Sequence, residues 1–264
     1  YIQRGSYAAV LRVLAFGNID INSYGIPQQA LDLSKKTRGL ILVTGPTGSG
    51  KSTTLSAMIT LINQNRSCHI LTLEDPIEYL FRHEKSIVDQ REIGIDTKSY
   101  SSALRSALRQ APDVILIGEM RDFETMSIAM TAAETGHLVL STLHTTSSSK
   151  TVDRIIDVFP PEQQQQVRVQ LSTVLNGVVS QQLLPSTDGG RHAAFEVMVV
   201  NTAIKNLIRE GKIPQIDAMI QTGKSQGMIN MDSSIADLYN SGKITEETAK
   251  KYAVNPETIS KYFK

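Results

Sequence analysis

Residues Gly45-Pro46-Thr47-Gly48-Ser49-Gly50-Lys51-Ser52 constrain the fold more than any other stretch of this chain. Three glycines in eight residues let the backbone curl until several N–H groups face one hollow, where they can hold phosphate oxygens. The spacing is G-x-x-x-x-G-K-[ST], which puts the Lys51 ammonium within reach of the outer phosphates of a nucleotide and the Ser52 hydroxyl where it can bind Mg²⁺. The flanks supply the context such a loop needs. Leu40-Ile41-Leu42-Val43 is expected to be a buried parallel strand, and Leu55, Met58, Ile59 and Ile62 give Thr53–Asn63 the apolar spacing of a helix. A strand entering and a helix leaving set the phosphates at a helix N-terminus. A glycine-rich turn with a chance Lys-Ser is the alternative, and the flanks argue against it.

The chain of 264 residues has room for one large α/β domain and a smaller unit. Its 41% apolar content supports a core, and 27 basic against 26 acidic residues leave no global charge that argues for nucleic acid or an anionic membrane. One cysteine, Cys68, excludes internal disulfides and any four-cysteine zinc site, and fits a reducing compartment. No apolar run approaches the ~18 residues of a membrane span, and no signal peptide is expected. The first residue is Tyr rather than Met, from which a fragment with something missing upstream is expected.

Four regions follow along the chain. Residues 1–14 read as two short strands with a turn near Arg4-Gly5, the tail of a domain whose beginning is absent. Residues 15–36 are a linker and a short helix opened by Pro27. Residues 37–200 alternate strands and helices as a parallel α/β sheet requires. Three apolar strands there end in polar residues: Ile70–Leu73 in Glu74-Asp75-Pro76, Val114–Ile117 in Gly118-Glu119, and Leu138–Leu143 in His144. Open α/β sheets bind ligands at that edge. Helices are expected over Ser101–Gln110, from the Asp122 cap to Thr135 with Gly136 as its stop, and from Pro160-Pro161 onward. In the last of these Val167, Leu171, Val174, Leu175 and Val178 keep helical spacing, and Gln163–Gln166 is a solvated face. Asp188-Gly189-Gly190 signals a hairpin with Ala194–Val199 as its return strand. Residues 201–264 turn helical, with helix starts at Thr245 and at Asn255-Pro256.

Glu119 stands where a carboxylate can orient and polarise a water against a γ-phosphate. Gly118 occupies the position where many nucleotide-hydrolysing relatives carry Asp, so Glu119 works alone or shares a metal with another acid. Glu74, Asp75 and Glu78 form a second acidic cluster, suited to Mg²⁺ held partly through water or to water positioning; a polar turn is the alternative. His144 is suited to sense a γ-phosphate, and His137 to orient backbone near the helix stop. Phosphoryl transfer also calls for an arginine against the developing charge. Arg4, Arg12 and Arg121 are the candidates, with surface ion pairing as their alternative role.

Together these motifs closely resemble the secretion-superfamily ATPases of type IV pili and type II secretion. That family carries a Walker A loop, an acidic box, an atypical Walker B ending in Gly-Glu, and a histidine box. Here these fall at Gly45–Thr53, Thr72–Glu78, Val114–Asp122 and Gly136–Thr145, in the family's order. Ala203-Ile204-Lys205-Asn206-Leu207-Ile208-Arg209-Glu210 is similar to the A-I-R-N-L-I-R-E motif of the retraction ATPases, with Lys205 for Arg. Extension and type II relatives usually carry a Cys₄ zinc module, which one cysteine cannot build.

The resemblance implies a RecA-like P-loop NTPase core, a small helical C-terminal region and the remnant of an N-terminal PAS-like domain. It implies ATP and Mg²⁺ as cofactors without zinc, and a homo-hexamer with ATP between subunits. Glu119, Glu74, Glu78 and His144 are the implied catalytic residues, with Arg4 and Arg12 as arginine fingers. Ser52, Glu74, Asp75 and Glu119 are the implied Mg²⁺ ligands, and residues 45–53 hold the nucleotide. The expected task is pilus retraction and twitching motility, at the cytoplasmic face of the inner membrane, against a pilus platform protein and without nucleic acid. An extension or secretion ATPase, a nucleotide-gated scaffold with little turnover, and a small-molecule phosphotransferase are the alternatives.

Overall fold

Apolar strands buried on both faces need helices above and below them, and the chain supplies both layers. The computed structural model describes residues 2–10 and 20–264. β1 (Ile2–Gln3) and β2 (Ser6–Tyr7) pair antiparallel across an Arg4-Gly5 turn, as expected; residues 11–14 of the expected second strand lie outside the described residues. α1 (Gln28–Asp32) follows Pro27 and runs into a 3-10 turn at Leu33–Lys35. Then come β3 (Gly39–Thr44), α2 (Lys51–Asn65), β4 (His69–Glu74), β5 (Ile87–Glu92), α3 (Tyr100–Ala107), β6 (Val114–Ile117), α4 (Phe123–Glu134) and β7 (Leu138–Leu143). The remainder is α5 (Ser148–Asp157), α6 (Pro161–Val174), β8 (Leu175–Pro185), β9 (Arg191–Val199), α7 (Thr202–Glu210), α8 (Gln215–Thr222), α9 (Met231–Asn240) and α10 (Glu246–Tyr252).

Seven strands form one sheet in the order β5-β4-β6-β7-β3-β8-β9, parallel throughout except for β9 against β8. The strand period of two divides the core. Leu40 and Leu42 of β3 join Leu71, Ile115 and Val139 under α3 to α8, whereas Ile41 and Val43 join Ile70, Leu116 and Leu140 under α2. Ile204, Ile208, Ile216 and Ile220 carry α7 and α8 into the first of these clusters. α9 and α10 instead close a separate small core over the far end of β8 and β9, through Met231, Ile235, Ala249, Leu184 and Ala194.

Two expectations need correction, and one strand was not expected at all. β5 carried no signal in the sequence, because an edge strand covered on one side offers only Val88 as a buried apolar residue. The helix from Pro161 stops at Val174, and Leu175 and Val178 belong to β8; an apolar stretch buried on both faces satisfies helical spacing and strand burial alike. Asn255-Pro256 starts no α-helix: the Asn255 N–H donates to Asp232 Oδ2 at 3.0 Å, and the chain passes through a turn into a 3-10 segment, Ile259–Tyr262.

Candidate functional site

The sheet order assembles the site. Across β4, β6, β7 and β3 the carboxyl ends present Glu74, Gly118-Glu119, His144 and the glycine loop in a row, each about 4.8 Å from the next at the backbone. Sequence order is different, so four segments that are separate in the chain become neighbours.

The loop bends at Gly45 (φ +146°), Gly48 (+76°) and Gly50 (+90°). Gly45 has no alternative: a Cβ there would overlap the Gln181 carbonyl oxygen of β8. Gly50 caps α2 from the left-handed region. The Lys51 amine donates to the carbonyls of Gly45 (2.9 Å) and Pro46 (3.1 Å), and its pKa is lowered by burial against the opposing pull of Glu119 and Glu78. Lys51, the Ser52 hydroxyl, Thr47 and Gly48 line a cleft of about 340 Å³. With loop N–H groups at a helix N-terminus and an ammonium, this is a donor set for phosphate oxygens. Ser49 Oγ is buried with no hydrogen-bond partner among the described residues. It borders a second cleft of about 340 Å³ behind the loop, with Tyr24, Thr53, Leu183, Arg191 and Phe195.

Glu119 lies across the first cleft, its side chain 13% exposed. One carboxylate oxygen pairs with Arg121 and the other accepts from His144 Nε2 at 3.2 Å. Thr142 Oγ1 donates to Gly118 O at 2.6 Å, and the Met120 N–H donates to Thr142 O, so β7 anchors the turn that carries Glu119. The glycine at 118 has a tertiary cause: a Cβ there would lie 2.8 Å from the Tyr100 hydroxyl. Burial, Glu119 and Asp75 push that phenol well above its ordinary pKa.

Glu74 is buried, which raises its pKa, while hydrogen bonds from Thr72 and Gln90 pull the other way. Asp75 and Glu78 line the same cleft. Among the described residues no group of three or more His, Cys, Asp or Glu side chains converges to hold a metal ion by itself. A cation here would draw on Ser52 and on phosphate oxygens as well as these acids.

The structure thus brings Thr47, Gly48, Lys51, Ser52, Glu74, Asp75, Glu78, Glu119, Arg121 and His144 to one cleft, and sets Ser49, Gly50 and Thr53 on the second. His137 stands apart; its Nδ1 lies 3.0 Å from Ala132 O at the end of α4. Arg4 sits in the exposed β1–β2 turn and lines neither cleft, and Arg12 lies outside the described residues. Ala203–Glu210 form most of α7, with Ile204 and Ile208 buried and Ala203, Asn206, Arg209 and Glu210 exposed.

The residue that braces the glycine loop carried no weight in the sequence reading. Gln181 of β8, 2% exposed, donates through Nε2 to Ser49 O (2.5 Å) and accepts from Thr54 Oγ1 (2.7 Å), clamping the loop to the first turn of α2. The signal was the polar run Ser180-Gln181-Gln182 inside an apolar strand, since a buried amide must find partners.

Residues 5–196 match the family described as type II/IV secretion system protein. The chain is 51% identical over 254 residues to a twitching motility protein of Neisseria gonorrhoeae, covering 96% of this chain and 68% of that one. It is 50% identical over 257 residues to the type IV pilus retraction ATPase PilT of Pseudomonas aeruginosa, covering 97% and 75%. It aligns with the crystal structure of the pilus retraction motor PilT with bound ADP at a TM-score of 0.93 and 52% identity, over 98% of this chain and 74% of that one. At greater distance, the ATPase DotB of Legionella pneumophila gives a TM-score of 0.83 at 28% identity, over 91% of this chain and 66% of that one. Among the described residues no helix is long and apolar enough to cross a membrane. The chain belongs to the type II/IV secretion system protein family and, within it, to the PilT type.

Proposed function

We propose that this chain hydrolyses ATP to drive type IV pilus retraction. The observation that carries the reading is Glu119, held between Arg121 and His144 across one cleft from Lys51 and Ser52. A carboxylate whose two oxygens are both held has a set direction, which water activation requires. Water polarised by Glu119 attacks the γ-phosphorus, the bond to the ADP oxygen breaks, and ADP, phosphate and a proton leave. Lys51 and the loop N–H groups stabilise the phosphate charge, and His144 responds to it through Glu119. Ser52 with Glu74, Asp75 and Glu119 would hold Mg²⁺, partly through water, and the ion would neutralise phosphate charge. Glu78 assists at the rim. The second cleft, reached past Gly50 and Thr53, suits the ribose and base, with Arg191 at its edge.

In this reading residues 37–200 are a RecA-like core and residues 1–14 the last strands of a PAS-like domain, joined by residues 15–36. Arg4 and Arg12 serve as arginine fingers toward a neighbouring subunit of a hexamer, which accounts for Arg4 lining neither cleft of its own chain. Residues 201–264 couple nucleotide state to the pilus platform protein at the cytoplasmic face of the inner membrane. The exposed face of α7 is suited to that role.

Three measurements test the reading. Glu119→Gln should keep ADP binding and lower phosphate release at least a hundredfold; normal hydrolysis would falsify the assignment. In the host, deletion should abolish twitching and leave excess pili, whereas loss of pili would indicate extension instead. Replacing Asn206 and Arg209 should spare hydrolysis and abolish retraction.

A further inference from the structure

β5, silent in the sequence, lies beside β4 in parallel register, with Thr72 opposite Gln90 and Glu74 opposite Glu92. The period of two puts Thr72 and Glu74 on one face of β4, and Gln90 and Glu92 on the same face of β5. Gln90 uses its whole amide there. Nε2 donates to Glu74 Oε1 (3.2 Å) and to Tyr79 O (2.8 Å), and Oε1 accepts from the Phe81 N–H (2.8 Å). Thr72 Oγ1 donates to the same Glu74 oxygen at 2.6 Å. The carboxylate still borders the nucleotide cleft, which Gln90 itself does not line.

The bonds at Tyr79 and Phe81 have a second consequence. Residues 75–86 form a strap from the end of β4 across α2. The Ile77 N–H donates to Glu92 Oε2 (3.1 Å), and the Tyr79 hydroxyl lies 3.0 Å from Thr53 Oγ1. Farther on, Asn63 of α2 donates to Arg82 O and accepts from the N–H groups of Glu84 and Ser86. Gln90 is the point where the carboxylate of Glu74 and the strap over the first turn of α2 meet in one side chain.

We propose that Gln90 is a positioning residue for Glu74, helping Thr72 set the direction of its carboxylate into the cleft and tying it to the strap that reaches Thr53. It acts on turnover without touching nucleotide. The inference rests on the role given above to Glu74, and the test separates the two.

ATP hydrolysis, fluorescent-ADP binding and melting temperature are measured in the full-length chain for Gln90→Met, Gln90→Glu, Glu74→Gln and the double variant Gln90→Met with Glu74→Gln. Methionine keeps the length without the amide. Glutamate keeps an acceptor for Phe81 and loses the donors to Glu74 and to the Tyr79 carbonyl, and it remains informative if the methionine variant fails to fold. Losing a hydrogen bond to a charged group corresponds to about tenfold in rate, so both Gln90 variants should lower kcat by about that factor. ADP affinity should stay within about twofold. In the Glu74→Gln background the Gln90→Met substitution should change kcat by less than about twofold, because the group it acts through is gone. The proposal is overturned by an equal loss in both backgrounds, which marks a purely structural role. Full activity of Gln90→Glu also overturns it, since the bond from the Phe81 N–H then suffices without any donor to Glu74. A wild-type rate for Glu74→Gln refutes the role of Glu74 itself, and this proposal with it.

Discussion

Replacing Gln181 with leucine tests whether β8 holds the glycine loop in shape. The side chains are similar in volume, so the change removes hydrogen bonds rather than opening a cavity. Two partners lose their bonds: the Ser49 carbonyl, now reached at 2.5 Å, and the Thr54 hydroxyl, now 2.7 Å from Gln181 Oε1. Thr54 and Ser49 are each 2% exposed, so little water can replace the amide. A buried polar group left unpaired costs about 1–3 kcal/mol, so the pair amounts to about 2–6 kcal/mol. For a chain of this size that corresponds to a fall in melting temperature of roughly 5–15 °C. Thermal unfolding followed by circular dichroism, with and without ADP and Mg²⁺, measures it. The increment of stability that ADP confers should shrink as well, because the distorted loop binds phosphate less well. Gln182→Leu is the control, since its side chain points to the opposite face of the strand and should shift melting by less than about 3 °C. A Gln181→Leu protein that melts within 2 °C of wild type and binds ADP normally would refute the clamp.

Two further outcomes follow from packing and charge. Gly118→Ala sets a Cβ against the Tyr100 hydroxyl, and overpacking of this kind costs about 1–3 kcal/mol at the turn that carries Glu119; hydrolysis should fall, and adding Tyr100→Phe should restore most of it. Glu196 of β9 is buried and accepts from the Ser148 N–H at 2.7 Å, and burial raises its pKa. The folded chain therefore holds this proton more tightly than the unfolded chain. Its contribution is most favourable below the ordinary glutamate value of about 4.3 and is lost as pH rises from there through the raised folded value. Glu196→Gln keeps an acceptor for Ser148 and should flatten that pH dependence, with stability at pH 7.5 equal to or above wild type. Urea midpoints at pH 5 and 7.5 check it, and a clear loss at pH 7.5 alone counts against the sign.

Local chemistry made much of this protein legible from its sequence. Gly45, Gly48 and Gly50 take backbone conformations that only glycine adopts without strain, so their spacing already encodes the loop. Asp122 accepts from the Thr125 N–H and Thr245 from the Thr248 N–H, caps settled within four residues. The strand ends at Glu74, Glu119 and His144 were marked by apolar runs that stop at a polar residue, because the sheet is buried and its edge is not.

What could not be read there depends on contacts between distant residues. Glu119 and His144 are 25 residues apart, Gln181 and Ser49 are 132 apart, and only the strand order makes them neighbours. β5 has too little buried apolar surface to announce itself, yet it supplies Gln90. Gly118 stands where an aspartate is common, and the Tyr100 hydroxyl, distant in sequence, crowds any side chain there. The sequence by itself determined that a nucleotide is held and which carboxylates stand at the sheet edge, since backbone conformation and strand termination are local. Tertiary structure alone decided how those groups are aimed and braced, because hydrogen bonds that orient a side chain come from whichever strand the fold places next to it.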